Sequence, residues 1–580
     1  ISGIFCLKIH SETGVRYTTQ FFLPFLRLAG PFWIARDKSK VRLQLLGLIG
    51  LTLAQILISV TITEWSADLF DALEQRSMSR LFTQVALIVL IFAANIAVTA
   101  SHLFIKRHLQ LEWRGWLTDQ LIGQWMYQGR HYLVTHINGQ HDNPDGRIAE
   151  DIRIATEYAI DLIHTLFYCV ILLISFSHIL WSLSGSLTIK LGDFSFNMPG
   201  HLVWLAMAYA LTASVLGWLI GRPLTRATDQ RQTVEANFRF ALVKARENSL
   251  AIALIHGEHH EAPHFHRLFG KIVEAWNQQT AAWSRITMFS SGYSVLSMAF
   301  PILISAPRYI LEQITLGTLM QSAQAFQQLA SALSWPVDNM GKVAEWRASV
   351  ERVLGLSQSL NKLEREIGRS GANRIQISKN EGLVMRFHDL EITRLDGELC
   401  VQKISEEIRS GDRILISGNP LLGNKLYKAT AGLWPWGSGC IELPDDESLF
   451  FMPPRPYLPT DTLRNAICYP CLSCEFADEF MRECFELAGV SELLPMLNQE
   501  YDWEKTLLRE QQQRLGLVRL LLQRPKWIFM QDALDSLVPE EESAMIKLIN
   551  QQLPEAALLV ISKQPSIRNM MSRQIILKEP

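Results

Sequence analysis

The stretch RILISGNPLLGNKLYKA, residues 413–429, decides how the C-terminal part of this chain is read. Its first six residues, Arg413–Gly418, form a buried-strand pattern ending in glycine. A second glycine, Gly423, follows, and a helix is expected from about Lys425. Two more apolar runs lie downstream, WIFM (Trp527–Met530) and ALLVIS (Ala557–Ser562), with the acidic Asp532 just after the first. A strand, a glycine loop and a helix, then a strand ending in an acid, make the skeleton of a phosphate-loop nucleotide site. The part that begins near Ile375 with LVMRFHDLEI (Leu383–Ile392) and a turn at Leu395-Asp396-Gly397 is therefore predicted to be an α/β domain.

Upstream the pattern changes. Six apolar stretches reach the ~20 residues that a bilayer core requires. They are Leu43–Thr63, Leu81–Phe104, Ala155–Leu183, Leu202–Ile220, Ile286–Ile304 and Leu316–Ser334. The sixth is the weakest, because Gln321, Gln324, Gln327 and Gln328 give it a polar stripe. Polar residues inside a span face the bundle interior, so that stripe predicts a hydrated path. Leu187–Asn197 alternates around Gly192-Asp193 and predicts a short hairpin outside the membrane. The segments 105–154 and 221–285 predict helices that continue into the cytosol.

Arg36, Lys38, Lys40 and Arg42 precede the first span, Lys106, Arg107 and Arg114 follow the second, and Arg222 and Arg226 follow the fourth. By the positive-inside rule both termini are expected in the cytoplasm. Apolar residues make up 48% of the chain and charged residues 19%, with a net charge of −2, which points to membrane lipid and away from nucleic acid. The expected organisation is an N-terminal segment with an elbow helix (1–42), a six-helix transmembrane domain (43–345), a linker (346–374) and a nucleotide-binding domain (375–580).

Several longer motifs carry a resemblance. They are EWSADLFDAL (Glu64–Leu73), WRGWLTD (Trp113–Asp119), NPDGRIAEDI (Asn143–Ile152), AGLWPWGSG (Ala431–Gly439) and RPYLPTDTLRNAICYP (Arg455–Pro470). With them the chain resembles ABC transporter half-molecules of the YddA and SbmA/BacA-like group, relatives of the peroxisomal fatty-acid half-transporters. The resemblance implies an exporter-type fold, a homodimer in a bacterial inner membrane, ATP and Mg²⁺ as cofactors, and a peptide-like or amphipathic small-molecule substrate.

Every ATP-handling element of that family departs from its pattern here. The phosphate loop G-x-x-x-x-G-K-S/T aligns with Gly418 to Lys425, so Asn424 stands at the lysine position and Lys425 at the hydroxyl position. Asn419 lies in the loop and Pro420 removes an N–H from it. Lys425 is expected to point elsewhere, since one helical residue turns ~100°. Pro454 takes the Gln position of the loop facing the metal; Leu508 and Glu510 replace the Ser and Gly of the signature; Pro565 replaces the switch His. Gln531 stands where the metal-facing Asp belongs, and Asp532 where the catalytic Glu belongs. Phosphoryl transfer depends on positioning and electrostatics, so these losses together predict weak or absent hydrolysis. Whether the chain is an enzyme is left open by its sequence.

Asp161 and His164 lie three residues apart near the start of the third span, and with Gln321, Gln324 and Gln328 they are candidates for a transport path or proton relay. Cys468, Cys471 and Cys474 imitate a cluster run but lack its fourth ligand, and His256, His259, His260, His264 and His266 crowd one cytoplasmic segment without a defined ligand set. No metal site is expected from either.

Overall fold

Apolar runs that lie in lipid must satisfy their backbone groups internally and so wind into long helices, which dominate the first half of the chain. The computed structural model describes residues 24–34, 39–137, 139, 143–191, 194–368, 374–380, 382, 384–445, 449–471, 476–562 and 564–578. They divide into two compact units, one of residues 1–123 and 142–357, the other of residues 124–141 and 358–580.

The first unit is helical. Its long helices are α1 (Ser39–Glu74), α2 (Met78–Met126), α3 (Ile152–Ser184), α4 (His201–Glu247), α5 (Glu258–Ile310), α6 (Leu316–Asp338) and the part up to residue 357 of α7 (Met340–Gly368). Between α3 and α4 the expected hairpin forms, with β1 (Ser186–Leu191) antiparallel to β2 (Phe194–Pro199); Gly192 and Asp193 lie outside the described residues. Among the described residues, five helices are long and apolar enough to cross a membrane, those containing α1 to α5. They leave large apolar side chains such as Leu46, Leu57, Phe92 and Leu211 more than half exposed, a surface suited to lipid.

The sixth candidate span is a helix too, but its composition is less apolar because of where it packs. α6 lies against α1, α3, α4 and α5 and buries Leu319, Phe326 and Leu329. Its glutamines are half-buried, and Gln324 Nε2 donates to Ser66 Oγ of α1 at 2.8 Å. A helix surrounded by helices can carry polar groups that find protein partners.

The motif EWSADLFDAL acquires a structural reason here. Leu316 N–H donates to Glu74 Oε2 (3.0 Å) and Gly317 N–H to Asp71 Oδ1 (2.8 Å), so two carboxylates of α1 cap the N-terminus of α6. They satisfy donors that lack intrahelical partners and complement the positive end of the helix. Gly317 is required by this approach, since a Cβ there would run into Ala67 O and the Asp71 carboxylate. NPDGRIAEDI is explained similarly. Asp151, almost fully buried, forms a two-point ion pair with Arg352 of α7, whose Nε lies 2.8 Å from Asp151 Oδ2.

Among the described residues the second unit carries two larger sheets and a two-stranded one that pairs Asp461–Thr462 with Glu500–Tyr501. A parallel sheet has the order β11-β6-β10-β9-β8, from β6 (Arg413–Gly418), β8 (Leu449–Met452), β9 (Trp527–Gln531), β10 (Ala557–Ile561) and β11 (Arg573–Leu577). The strands β9 and β10 are buried at every position, as strands covered on both faces must be. A four-stranded sheet of β3 (Gln376–Asn380), β4 (Val384–Thr393), β5 (Leu399–Arg409) and β7 (Gly437–Pro444) stands beside it in the order β3-β7-β4-β5. The helices α8 (Pro420–Thr430), α9 (Arg509–Gln523) and α10 (Pro539–Gln552) complete the parts that matter below.

Two boundaries differ from expectation. The chain is helical through Gly368, so most of the stretch read as a linker belongs to α7. Residues 124–141, read as part of the membrane domain, group with the second unit, where His136 sits edge-on to Trp434 (5.5 Å between ring centres) and Lys428 Nζ lies over Tyr132. The tryptophans of GLWPWGSG thus receive that segment.

Gly317→Ala is expected to destabilise the transmembrane unit by about 1–3 kcal/mol through overpacking at the cap. A lowered thermal unfolding midpoint of the detergent-purified chain checks it.

Candidate nucleotide site and intramembrane polar groups

In open parallel sheets, ligands bind at the carboxyl ends of the strands. The carboxyl ends of β6, β9 and β10 here surround a cavity of about 290 Å³ lined by Ile416, Ser417, Gly418, Asn419, Pro420, Gly423, Asp532, Ile561, Ser562 and Leu577. This is the place the glycine pattern predicts.

The loop within it is wound differently from the expectation. The helix begins at Pro420, five residues before Lys425. Proline suits the first helical position and asparagine the cap, so Asn419-Pro420 starts the helix early. The consequence lies in the amides. Leu421 N–H donates to the Asn419 side chain (2.9 Å), while Leu422 N–H (2.9 Å) and Gly423 N–H (3.2 Å) both donate to Asn419 O. Donors that should face a phosphate are already paired within the loop.

The side chains agree. Lys425 Nζ lies 2.7 Å from Cys400 Sγ and 5.2 Å from the centre of the Trp434 ring, and it does not line the cavity. Asn424 Oδ1 is buried without a hydrogen-bond partner. The only charged side chain among the described lining residues is the carboxylate of Asp532, which repels phosphate. Gln531 ends β9, nearly buried, and is a neutral amide at the metal-facing position. This donor set does not fit Mg²⁺ and a nucleotide triphosphate.

At the signature positions the acid is already paired. Glu510 does not project its charge freely; it folds back on Arg514, whose Nε lies 3.1 Å from Glu510 Oε1 and whose Nη2 reaches Glu541 Oε2 at 2.8 Å. The i,i+4 spacing on α9 makes this pairing available. Leu508 is the N-terminal flanking residue of α9 and is 71% exposed. Pro454 offers its carbonyl to Gln513 Nε2 at 3.0 Å, and the same nitrogen donates to Asp535 Oδ1 at 2.6 Å. Ser536 N–H donates to Gln513 Oε1 (3.0 Å), so one fully buried glutamine ties Pro454 to Asp535 and Ser536. Sequence reasoning missed Gln513, whose only signal was its place in a polar run that should have been solvated. Pro565 opens a short helix, Pro565–Arg568.

Glu542 of α10 was also missed. It is 3% exposed, its Oε2 has no hydrogen-bond partner, and burial, then Asp532 and Asp535, push it up to about 7.

In the first unit, Asp161 and His164 are not partners of each other. Asp161 Oδ1 lies 3.0 Å from Lys106 Nζ and accepts from Gln110 Nε2 at 3.3 Å, whereas His164 meets His102 and Thr52. Gln321 and Gln328 are half-buried on α6 beside Gln324. Among the described residues no group of three or more His, Cys, Asp or Glu could hold a metal; Cys474 lies outside them.

The comparisons agree with this architecture. Residues 31–310 match the family described as ABC transporter transmembrane region 2. The inner membrane ABC transporter ATP-binding protein YddA of Escherichia coli is 26% identical over 94% of this chain and 96% of its own length. The chloroplastic ABC transporter D family member 2 of Arabidopsis thaliana is 26% identical over 93% of this chain and 83% of its own. The chain is an ABC half-transporter. Its fold is shared by a bacterial Atm1-family ABC exporter solved with ATP bound, with a TM-score of 0.68 and 14% identity over 93% of this chain and 94% of that one. This half-transporter is a multi-span membrane protein whose relatives use ATP in general.

Two outcomes are expected. Lys425→Ala lowers the thermal stability of the nucleotide domain and leaves Mg-ATP affinity unchanged, measured side by side by scanning fluorimetry and titration calorimetry. Because folded Glu542 holds its proton up to about 7, and an unfolded one only to about 4.3, stability falls as pH rises between those values and is level above them. Glu542→Gln is expected to abolish that fall in unfolding midpoints across the same range.

Proposed function

We propose that this half-transporter works as a homodimer that moves a peptide-like or other amphipathic solute across a bacterial inner membrane, with both termini in the cytoplasm, and that its own ATP hydrolysis is weak or lost. The observation that carries the second part is the loop at Asn419–Gly423, whose amides donate to Asn419 instead of facing the cavity. Lys425, turned onto Cys400 and Trp434, supports it. Electrostatic groups aimed at a transition state commonly contribute ~10²–10³ each, and here several change together.

A second copy would not restore the site. Composite ABC sites pair the phosphate loop of one chain with the signature of the other, and both are altered in this sequence. The half-buried glutamine face of α6 supports a hydrated path for the solute. A folded membrane protein that transports nothing is the competing reading. The cluster of Thr52, His102, Asp161 and His164 within the spans speaks against it, since placing such groups in a membrane is costly unless they serve a purpose.

The test is Mg-ATP turnover of the full chain reconstituted in lipid. Turnover at the level of protein-free liposomes is expected, and also for a preparation with Lys425→Ala. Ordinary turnover that this substitution leaves intact or abolishes would equally refute the proposal.

A further inference from the structure

Two imidazoles from different helices meet inside the transmembrane unit. His102 of α2 and His164 of α3 approach Nε2 to Nε2 at 2.7 Å. Thr52 Oγ1 of α1 lies 3.1 Å from the same His164 nitrogen and 2.7 Å from the Leu48 carbonyl, four residues back on its own helix. A hydroxyl has one hydrogen, and the carbonyl can only accept, so that hydrogen goes to Leu48. Thr52 therefore accepts from His164, and His164 Nε2 carries a hydrogen. That single hydrogen is shared between Thr52 Oγ1 and His102 Nε2, so His102 Nε2 accepts across the 2.7 Å contact, which places the hydrogen of neutral His102 on Nδ1. The tautomer of neutral His164 leaves its Nδ1 bare, and that atom is buried with no partner.

The bare ring nitrogen is an atom to which a proton can add, provided its new charge finds a counter-charge. The titratable and charged groups acting on His164 are His102, Lys106 and Asp161. Lys106 lies one turn along α2 from His102 and pairs with Asp161, one turn along α3 from His164, at 3.0 Å. Lys342, at the start of α7, reaches Asp161 at 4.0 Å. From α1 the pair meets the uncharged Thr52.

We propose that His102 and His164 form a proton-binding site within the spans, which takes up one proton. The proton adds to His164 Nδ1, no bond between heavy atoms changes, and the pair gains a single positive charge. A buried charge must be paired, and Asp161 is the carboxylate within reach. Protonation draws Asp161 toward His164 and loosens it from Lys106, whose long stem lets its ammonium move to the water interface. The site thus has two arrangements of one carboxylate, selected by one proton. The inference rests on the reading that this chain transports without its own ATP hydrolysis, and it supplies that transport with a coupling ion.

The experiment uses the full chain in lipid nanodiscs. Protons taken up between about pH 8 and about pH 5, a range spanning the ordinary imidazole titration, are counted with an indicator dye for the native chain, His102→Gln, His164→Gln and the double variant. The double variant is expected to take up one proton fewer than the native chain. A deficit of two protons, or of none, overturns the proposal. Should the variants fail to fold, ¹⁵N-histidine spectra of the native chain read the same quantity: one coupled titration supports the site, and two independent rings overturn it. Liposomes containing a trapped pH dye and an imposed acid-outside gradient separate this site from the transport reading. Loss of the excess proton entry in His164→Gln supports both. A native chain with no excess entry but a one-proton deficit in the double variant sinks proton-driven transport and leaves the site standing.

Discussion

A peptide N–H makes one good hydrogen bond at a time, and in this half-transporter the amides of Leu421, Leu422 and Gly423 give theirs to Asn419. A phosphate loop binds because its amides are left without partners until the anion arrives. Here the cap residue and the proline after it wind the first turn of α8 early, and that turn satisfies itself. The rest of the site follows. Lys425 packs on Cys400 and Trp434, and Gln513 binds the carbonyl of Pro454, the carboxylate of Asp535 and the amide of Ser536. Groups that elsewhere face nucleotide, metal and water here bind one another. The frame of the domain survives because its sheet and core need none of those ligands.

The transmembrane unit shows the same accounting of polar groups in a harsher solvent. Nothing in hydrocarbon replaces a lost hydrogen bond, so each polar side chain there has a protein partner or a purpose. Asp71 and Glu74 close the N-terminus of α6, and Gln324 holds Ser66. The atoms left over are informative for that reason. His164 Nδ1 stands bare there, as does Gln110 Oε1 nearby, and of the two only the imidazole nitrogen can take up a proton.

Much of this was legible before any coordinates. Five spans announced themselves through runs of about twenty apolar residues, since a bilayer core leaves few alternatives. The strands Arg413–Gly418, Trp527–Gln531 and Ala557–Ile561 were legible because strands buried on both faces must be apolar throughout. The position of the cavity was legible from Gly418 and Gly423. The sixth span was harder, because a helix packed among helices is not obliged to be apolar all round.

The sequence by itself determined the class of the molecule, its order of elements and which ATP-handling positions had changed type, because those depend on composition, period and spacing along the chain. Only the tertiary structure decided who partners whom. It turned Glu510 onto Arg514, started α8 at Pro420, and separated Asp161 from His164 by giving the first to Lys106 and the second to His102. Partners distant in sequence leave no mark in local pattern. They are fixed when whole helices and sheets pack, and at that point each buried donor takes the nearest acceptor the fold provides.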